Sequence, residues 1–153
     1  MKLATLCYLK KNGKTLMLFR NKKKDDMNGG KWIGLGGKIE EGETPEECAI
    51  REIKEESGYI AKNLILKGIL TFPAFDGNNC WYVFLYLVTE FEGDMIDSSE
   101  GTLKWINDED LMNLPMWEGD KIFLKWLNEK GIYSGKFIYK DEKFIDFTYT
   151  HYN

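Results

Sequence analysis

Glu52, Glu55 and Glu56 are spaced i, i+3 and i+4, which on a helix places three carboxyl groups on one face. Like charges on one stripe repel each other and weaken the helix that carries them. A divalent cation relieves that repulsion: Mg²⁺ takes a few carboxylate oxygens, keeps several waters and clamps substrate phosphates. Arg51 stands beside the stripe, one turn from Glu47 and from Glu55, where it can pair with either and orient carboxylates. Taken alone, three glutamates on a helix are more often a solvated face laced with ion pairs. The histidine content narrows the choice. The single histidine, His151, lies two residues before Asn153, in what reads as a frayed tail. That leaves little basis for a Ser-His-Asp or Cys-His mechanism, or for a histidine-built zinc site. If the chain does chemistry, carboxylates and a hard metal are its tools.

The helix that must hold these glutamates has a well-marked start. In Thr44-Pro45-Glu46-Glu47, Thr44 can be the N-cap, Pro45 sits at the first helical position and Glu47 can close a capping box. The helix is expected to run to about Ser57, with Gly58 ending it in a left-handed conformation. Ala49, Ile50 and Ile53 fall on an adjoining arc that can pack on a sheet. Elsewhere, residues 3–9 and 15–20 are strand-like around the hairpin signal Asn12-Gly13. Residues 21–31 read as a loop, and Trp32 to Gly37 as a short irregular strand. Two long strands are expected over 64–75 and 80–91, with Asp76-Gly77-Asn78-Asn79 between them, and a short one over 102–106. A second helix over about 118–129 carries Ile122, Phe123, Trp126 and Leu127 at helical spacing. Lys136 to Phe147 reads as a closing hairpin around Lys140-Asp141-Glu142. Two helices among strands in this order predict an α+β sandwich with a mixed sheet.

The 153 residues suit one domain, 1–153, with a sizeable core. Hydrophobic residues make up 43% and charged residues 30%, the composition of an ordinary globular protein. The net charge of −4 argues against general affinity for a nucleic-acid backbone. A phosphorylated substrate would therefore need local positive charge or a metal. Cys7, Cys48 and Cys80 are scattered and odd in number, which suits a reduced, cytoplasmic protein. No apolar run approaches the length of a membrane span, and the N-terminus reads as a strand rather than a secretory signal.

From Gly37 the segment reads G-x5-E-x7-R-E-I-x-E-E-x-G-Y, with Gly37, Glu43, Arg51, Glu52, Ile53, Glu55, Glu56 and Gly58 at its marked positions. It resembles the Nudix box, whose signature is G-x5-E-x7-R-E-U-x-E-E-x-G-U with U a bulky aliphatic residue. Every charged and glycine position matches, and the one departure is Tyr59 at the last U. It is not a P-loop, because Gly37-Lys38 is followed by Ile39 and Trp32 occupies the first-glycine position. The resemblance implies a Nudix-like α/β/α sandwich and a loop-helix-loop metal site for Mg²⁺, with Mn²⁺ as the alternative. It makes Glu52, Glu55 and Glu56 metal ligands, the Gly37 carbonyl an extra ligand, and Glu43 and Arg51 orienting residues. Such a site activates water beside a multiply charged phosphorus and needs no histidine.

The resemblance to the MutT-like branch extends beyond the box and covers nearly the whole chain. Glu100, in the loop Asp97-Ser98-Ser99-Glu100-Gly101, is either a solvated loop residue or a metal ligand or general base, since relatives often place a glutamate here near the metals. In the basic stretch Arg20-Asn21-Lys22-Lys23-Lys24, most lysines suit a solvated loop. Lys23 is the candidate that faces the phosphates, with Lys38 beside the box as a second. Met116-Trp117-Glu118-Gly119-Asp120 follows a Leu-Pro turn. In similar enzymes that sanitise oxidised purine nucleotides, a tryptophan and an aspartate here stack on the base and hydrogen-bond to it, which would be Trp117 and Asp120. Their ordinary reading is a core tryptophan and a helix-capping aspartate. Phe72 and Met27 are expected to complete the apolar walls. Some relatives carry an asparagine after Gly-x-Trp and a second aspartate before Asp120, whereas this chain has Ile33 and Gly119.

Together these readings point to hydrolysis of a nucleoside triphosphate to a monophosphate and pyrophosphate, with 8-oxo-dGTP the best single candidate. The nucleotide would be the partner, without a nucleic-acid polymer or membrane, in a monomer or homodimer. The rivals are a hydrolase of another nucleoside diphosphate derivative, such as ADP-ribose or a dinucleoside polyphosphate, and a non-catalytic nucleotide-binding domain. RNA decapping fits poorly with the acidic charge and the lack of a long basic face.

Overall fold

The computed structural model describes residues 1–153. The strands are β1 (Lys2–Lys11), β2 (Lys14–Phe19), β3 (Trp32–Ile33), β4 (Ile60–Ala61), β5 (Ile65–Phe72), β6 (Trp81–Val88), β7 (Phe91–Glu92), β8 (Thr102–Asn107), β9 (Ile132–Lys140) and β10 (Lys143–Tyr152). The helices are α1 (Pro45–Ser57) and α2 (Glu118–Trp126), with a 3₁₀ helix over Asp108–Asn113. Eight strands join in one sheet in the order β10-β9-β5-β6-β1-β2-β3, with β8 also paired to β2. The β1–β6 and β5–β9 pairs are parallel and the other pairs antiparallel, so the sheet is mixed as expected. β4 and β7 make a separate two-stranded ribbon that carried no sequence signal.

Strand periodicity sorts the core into two layers. On β1, Tyr8 packs in one cluster while Cys7 and Leu9 pack in the other; on β2, Met17 opposes Leu16 and Leu18 in the same way. Ala49 and Ile53 of α1 belong to the cluster with Cys7, and Phe123, Leu124 and Trp126 of α2 to the cluster with Tyr8. The two helices therefore cover opposite faces, which makes the α/β/α sandwich. No helix is long and apolar enough to cross a membrane.

The departures from expectation have local causes. Ile50 is exposed and Cys48 is buried, because the buried arc of α1 runs through Cys48, Ala49, Ile53, Glu56 and Ser57 and leaves Ile50 just outside its edge. The closing hairpin runs from Ile132 to Tyr152, well beyond 136–147, where Tyr133 of β9 packs on Tyr149 and His151 of β10 and extends the register. His151 is thus in β10 rather than in a frayed tail. Its ring stacks on Tyr133 at 4.1 Å, and its Nε2 lies 2.7 Å from the Lys130 carbonyl. α2 ends at Trp126, three residues early, and hydrogen-bonded turns carry the chain on to Glu129.

The stretch after β3 explains how the site is placed. β2 pairs with β1 only at Lys10 and Lys11, so the β1 edge is open further along. Residues 35–39 occupy that opening: Cys7 exchanges hydrogen bonds with Leu35, Thr5 N–H donates to the Gly37 carbonyl, and Ile39 N–H donates to the Leu3 carbonyl. The chain then turns into α1. Thr44 Oγ1 accepts from Glu47 N–H at 3.0 Å, and the Glu47 carboxylate accepts from Thr44 N–H at 2.9 Å, which completes the capping box. Gly58 ends the helix at φ 85°, where a side chain would also meet the Asp94 carbonyl oxygen and Ile96. Thr44→Ala should destabilise the fold by about 1 kcal/mol, read as a lower urea midpoint at unchanged slope. An unchanged midpoint would mean that tertiary packing alone sets the start of α1.

Candidate active site

One end of the site is the N-terminal approach to α1 together with the glutamates of that helix. Arg51 is its hub. Its Nε and Nη2 hold both oxygens of Glu43 at 2.7 and 2.9 Å, and Nη1 reaches Glu52 at 2.8 Å and Glu55 at 3.4 Å. Nη2 also donates to the Lys38 carbonyl at 3.2 Å. Arg51 does not pair with Glu47, whose carboxylate is committed to the cap. The bidentate bonds from Arg51 hold Glu43 down at a pKa of about 2.

The three stripe glutamates sit in different environments. Glu55 is largely exposed, Glu52 is half-buried and Glu56 is buried. Burial raises the pKa of Glu52, against the hydrogen bond from Arg51. Burial also pushes Glu56 up to about 8, opposed by a 2.7 Å hydrogen bond from Gly36 N–H and reinforced by the charges of Glu52 and Glu100. Gly37 passes so close to Glu52 that a Cβ there would lie 2.6 Å from the carboxyl carbon, so a side chain at this position would displace the Glu52 carboxylate.

Glu100 comes to the same neighbourhood from the loop before β8. Its Oε2 pairs with Lys23 Nζ at 2.8 Å and with Arg20 Nη2 at 3.3 Å. Lys23 therefore faces Glu100, and it is Arg20 rather than Lys23 that lines the cavity. Glu52, Glu55, Glu56 and Glu100 offer only oxygen, which suits a hard divalent cation, whereas the Gly37 carbonyl, expected as an extra ligand, is turned to β1 and taken by Thr5 N–H and the Cys48 thiol. No three acidic side chains converge closely enough to clasp an ion as they stand; their partners are Arg51, Arg20 and Lys23.

From Gly36 and Gly37 a cavity of about 520 Å³ leads away from the glutamates. Five of the residues expected at the substrate line it together: Met27, Lys38, Phe72, Trp117 and Asp120. Trp117 is 6% exposed and belongs to the core as well as the cavity wall. It is the N-cap of α2, with Phe75 and Tyr139 edge-on to its ring at 4.9 and 5.3 Å. Lys31 Nζ lies 4.3 Å from its ring centroid, on the side away from this cavity. Asp120 is buried in the first turn of α2 and does not cap it. Burial alone raises its pKa to about 8, so near neutral pH most of this carboxyl is protonated and offers both an O–H donor and an acceptor.

Sequence reasoning missed Arg20, Asp26, Asn28, Phe75 and Tyr139 as lining residues. Trp117 Nε1 donates to Asn28 Oδ1 at 2.8 Å across 89 positions of sequence, and no local pattern announces such a pair. Arg20 was visible only as the start of a basic run. Its bond to Asp26 at 2.7 Å depends on how the 21–31 loop folds back.

Comparisons with known proteins bear on the family and the fold. The NUDIX domain profile matches residues 2–127. The chain is 34% identical over 143 residues to an uncharacterized Nudix hydrolase of Bacillus subtilis, covering 90% of this chain and 87% of that protein. It is 29% identical over 144 residues to an oxidized purine nucleoside triphosphate hydrolase of Danio rerio, covering 94% and 90%. The crystal structure of a MutT protein from Bacillus halodurans superposes with a TM-score of 0.87 at 32% identity, covering 97% of both chains.

A raised carboxyl pKa has a measurable consequence. Asp120 keeps its proton in the fold up to about pH 8 but loses it near pH 4 when unfolded. Folding therefore binds a proton between those values, and the associated stability, full below pH 4, is lost as pH rises towards 8. In chelator-containing buffer, Tm should fall between pH 5 and 9, and Asp120→Asn should flatten that slope and melt higher at pH 9. Parallel Tm–pH curves for the two proteins would show that Asp120 is ionised in the fold.

Proposed function

The chain belongs to the NUDIX family and is a Nudix hydrolase, and from that premise we propose that it hydrolyses an oxidised purine nucleoside triphosphate, 8-oxo-dGTP best of all, to the monophosphate and pyrophosphate. The observation that carries this reading is the continuity of the cavity. Gly36 and Gly37, which touch the glutamates, line the same space as Trp117 and Asp120. A volume of about 520 Å³ falls in the usual range for a small-molecule pocket. A base seated by Trp117 would point its phosphates towards the glutamate end.

The roles follow from position. Glu52, Glu55, Glu56 and Glu100 would hold Mg²⁺, or Mn²⁺ in its place. A bound divalent ion neutralises phosphate charge and lowers the pKa of water. Arg51 and Glu43 orient Glu52 and Glu55 and tie the helix to the Lys38 carbonyl. Glu56 and Glu100 are the residues that can take a proton from the attacking water. Gly36 N–H fixes the orientation of Glu56, and Glu100 stands on the Arg20 and Lys23 side. Arg20 and Lys23 bring positive charge to the Glu100 side, where the phosphates would lie. At the other end, protonated Asp120 matches the adjoining keto oxygen and ring N–H of an oxopurine, giving one hydrogen bond and taking another. The match to the Danio rerio hydrolase of oxidised purine nucleotides supports the same substrate class.

With Mg²⁺ and 8-oxo-dGTP, the purified protein should release pyrophosphate and 8-oxo-dGMP, and release of orthophosphate would overturn the proposed bond cleavage. Glu56→Gln should lower kcat by about two orders of magnitude or more with little change in Tm. Near wild-type turnover in that variant would place Glu56 outside the chemistry. Trp117→Ala should raise KM much more for the nucleotide than for inorganic tripolyphosphate. An equal change for both substrates would reduce Trp117 to a core residue.

A further inference from the structure

Asn28 lines the cavity and is held in one orientation. Trp117 Nε1–H is a donor with no acceptor character, so the amide atom facing it at 2.8 Å must be the oxygen Oδ1. Nδ2 is therefore the outward end, and no group of the protein accepts from it. The backbone is pinned as firmly. Asn28 N–H donates to Asp26 Oδ1 at 3.0 Å, Asp26 Oδ2 is held by Arg20 Nε at 2.7 Å, and the Asn28 carbonyl accepts from Lys31 N–H at 3.0 Å. An amide free to turn over can donate to a keto group or accept from an amino group. This one can only donate without losing its bond to Trp117.

Several other polar groups of the cavity already have partners within the protein. Arg20 and Asp26 are paired with each other, the Tyr139 hydroxyl accepts from Gly119 N–H at 2.7 Å, and Thr5 Oγ1 contacts Cys48 Sγ at 3.4 Å. Ile33 lines the cavity but has no polar side-chain atom. Lys38 and the Tyr139 O–H are further donors on the cavity wall, while Asp120, one turn along α2, and Asn28, on the indole N–H, are joined directly to Trp117.

We propose that Asn28 is a specificity-determining residue, donating its side-chain N–H to the 6-keto oxygen of a purine seated against Trp117 and so selecting keto purines over amino purines. The inference rests on the nucleotide reading above and deepens it. A 6-amino group at that place would set donor against donor and leave Nδ2 without a partner, which is how a built hydrogen-bonding site rejects the wrong ligand.

The deoxynucleotides of hypoxanthine and adenine differ at this edge alone, as 6-keto and 6-amino purines. The wild type should favour dITP over dATP in kcat/KM by about tenfold or more, the size of one hydrogen bond made or missed. Asn28→Asp keeps an acceptor towards Trp117 but removes the donor, and it should abolish or invert that preference. Repulsion between the added charge and the phosphates is common to both substrates and cancels in the ratio, as does any loss of folded protein. The same ratio is read from equilibrium binding of dIMP and dAMP, which needs no hydrolysis. If neither triphosphate is turned over, the triphosphate reading fails, and the binding ratio still decides the role of Asn28. No keto preference in the wild type, or the same ratio in Asn28→Asp, would overturn the proposal, the latter because a merely structural Asn28 would change both ligands equally.

Discussion

The site depends on keeping several carboxylates together against their own repulsion. Arg51 accomplishes this from within the helix that carries two of them. Its guanidinium bonds both oxygens of Glu43 and reaches Glu52 and Glu55 from the same Nη1. A partly exposed ion pair adds little to stability, typically under about 1 kcal/mol. Its contribution here is geometric. Two forked bonds fix a plane, and that plane fixes where Glu43 sits before the helix and where Glu52 sits upon it. Lysine in the same place would supply the charge without the fork. The bond to the Lys38 carbonyl extends the constraint to the segment that runs along β1.

That segment links the glutamates to the aromatic pocket. α1 and α2 bury their apolar faces in different layers, so no direct helix–helix contact coordinates them. Residues 35–39 are hydrogen-bonded along the open edge of β1, in register with the strand at the centre of the sheet. Gly36 donates to Glu56 on one side, and Gly36 and Gly37 line the cavity on the other. The position of the glutamates relative to Trp117 is therefore set by strands β1 and β6 rather than by the loops that carry the polar groups. The 21–31 loop is locked to the same frame, since Gly30 N–H bonds the Arg20 carbonyl and Trp32 N–H bonds the Pro115 carbonyl just before α2.

How much of this was legible in the sequence follows from the range of the interactions. The cap at Thr44, the terminus at Gly58 and the glutamate stripe depend on neighbours within one or two turns, and their spacing shows them. The hairpin at Asn12-Gly13 is local in the same way, with both residues at positive φ. The α/β/α layering is readable because alternation along β1 and β2 assigns each side chain to a face. The parallel pairing of β1 with β6, the filling of the β1 edge by residues 35–39 and the ends of the closing hairpin depend on partners tens of residues away. Single-chain periodicity carries no such information. The same holds for Asn28 with Trp117 and for Glu100 with Arg20 and Lys23, which are joined by folding and not by spacing.

This division of range runs through the site itself. Its glutamate end is written as a compact pattern because one helix and its entry loop supply nearly all the groups, and a pattern of that kind is easily recognised across relatives. Its other end draws Met27 and Asn28 from a loop, Ile33 from β3, Phe72 from β5, and Trp117 and Asp120 from the start of α2. Exchanging one of these leaves the box untouched and changes which polar atoms line the cavity. Reaction class and ligand choice are thus held by separate sets of contacts. The glutamate end can be read from spacing within one helix, whereas the proposed choice of ligand rests on the orientation of a few polar atoms around one buried indole.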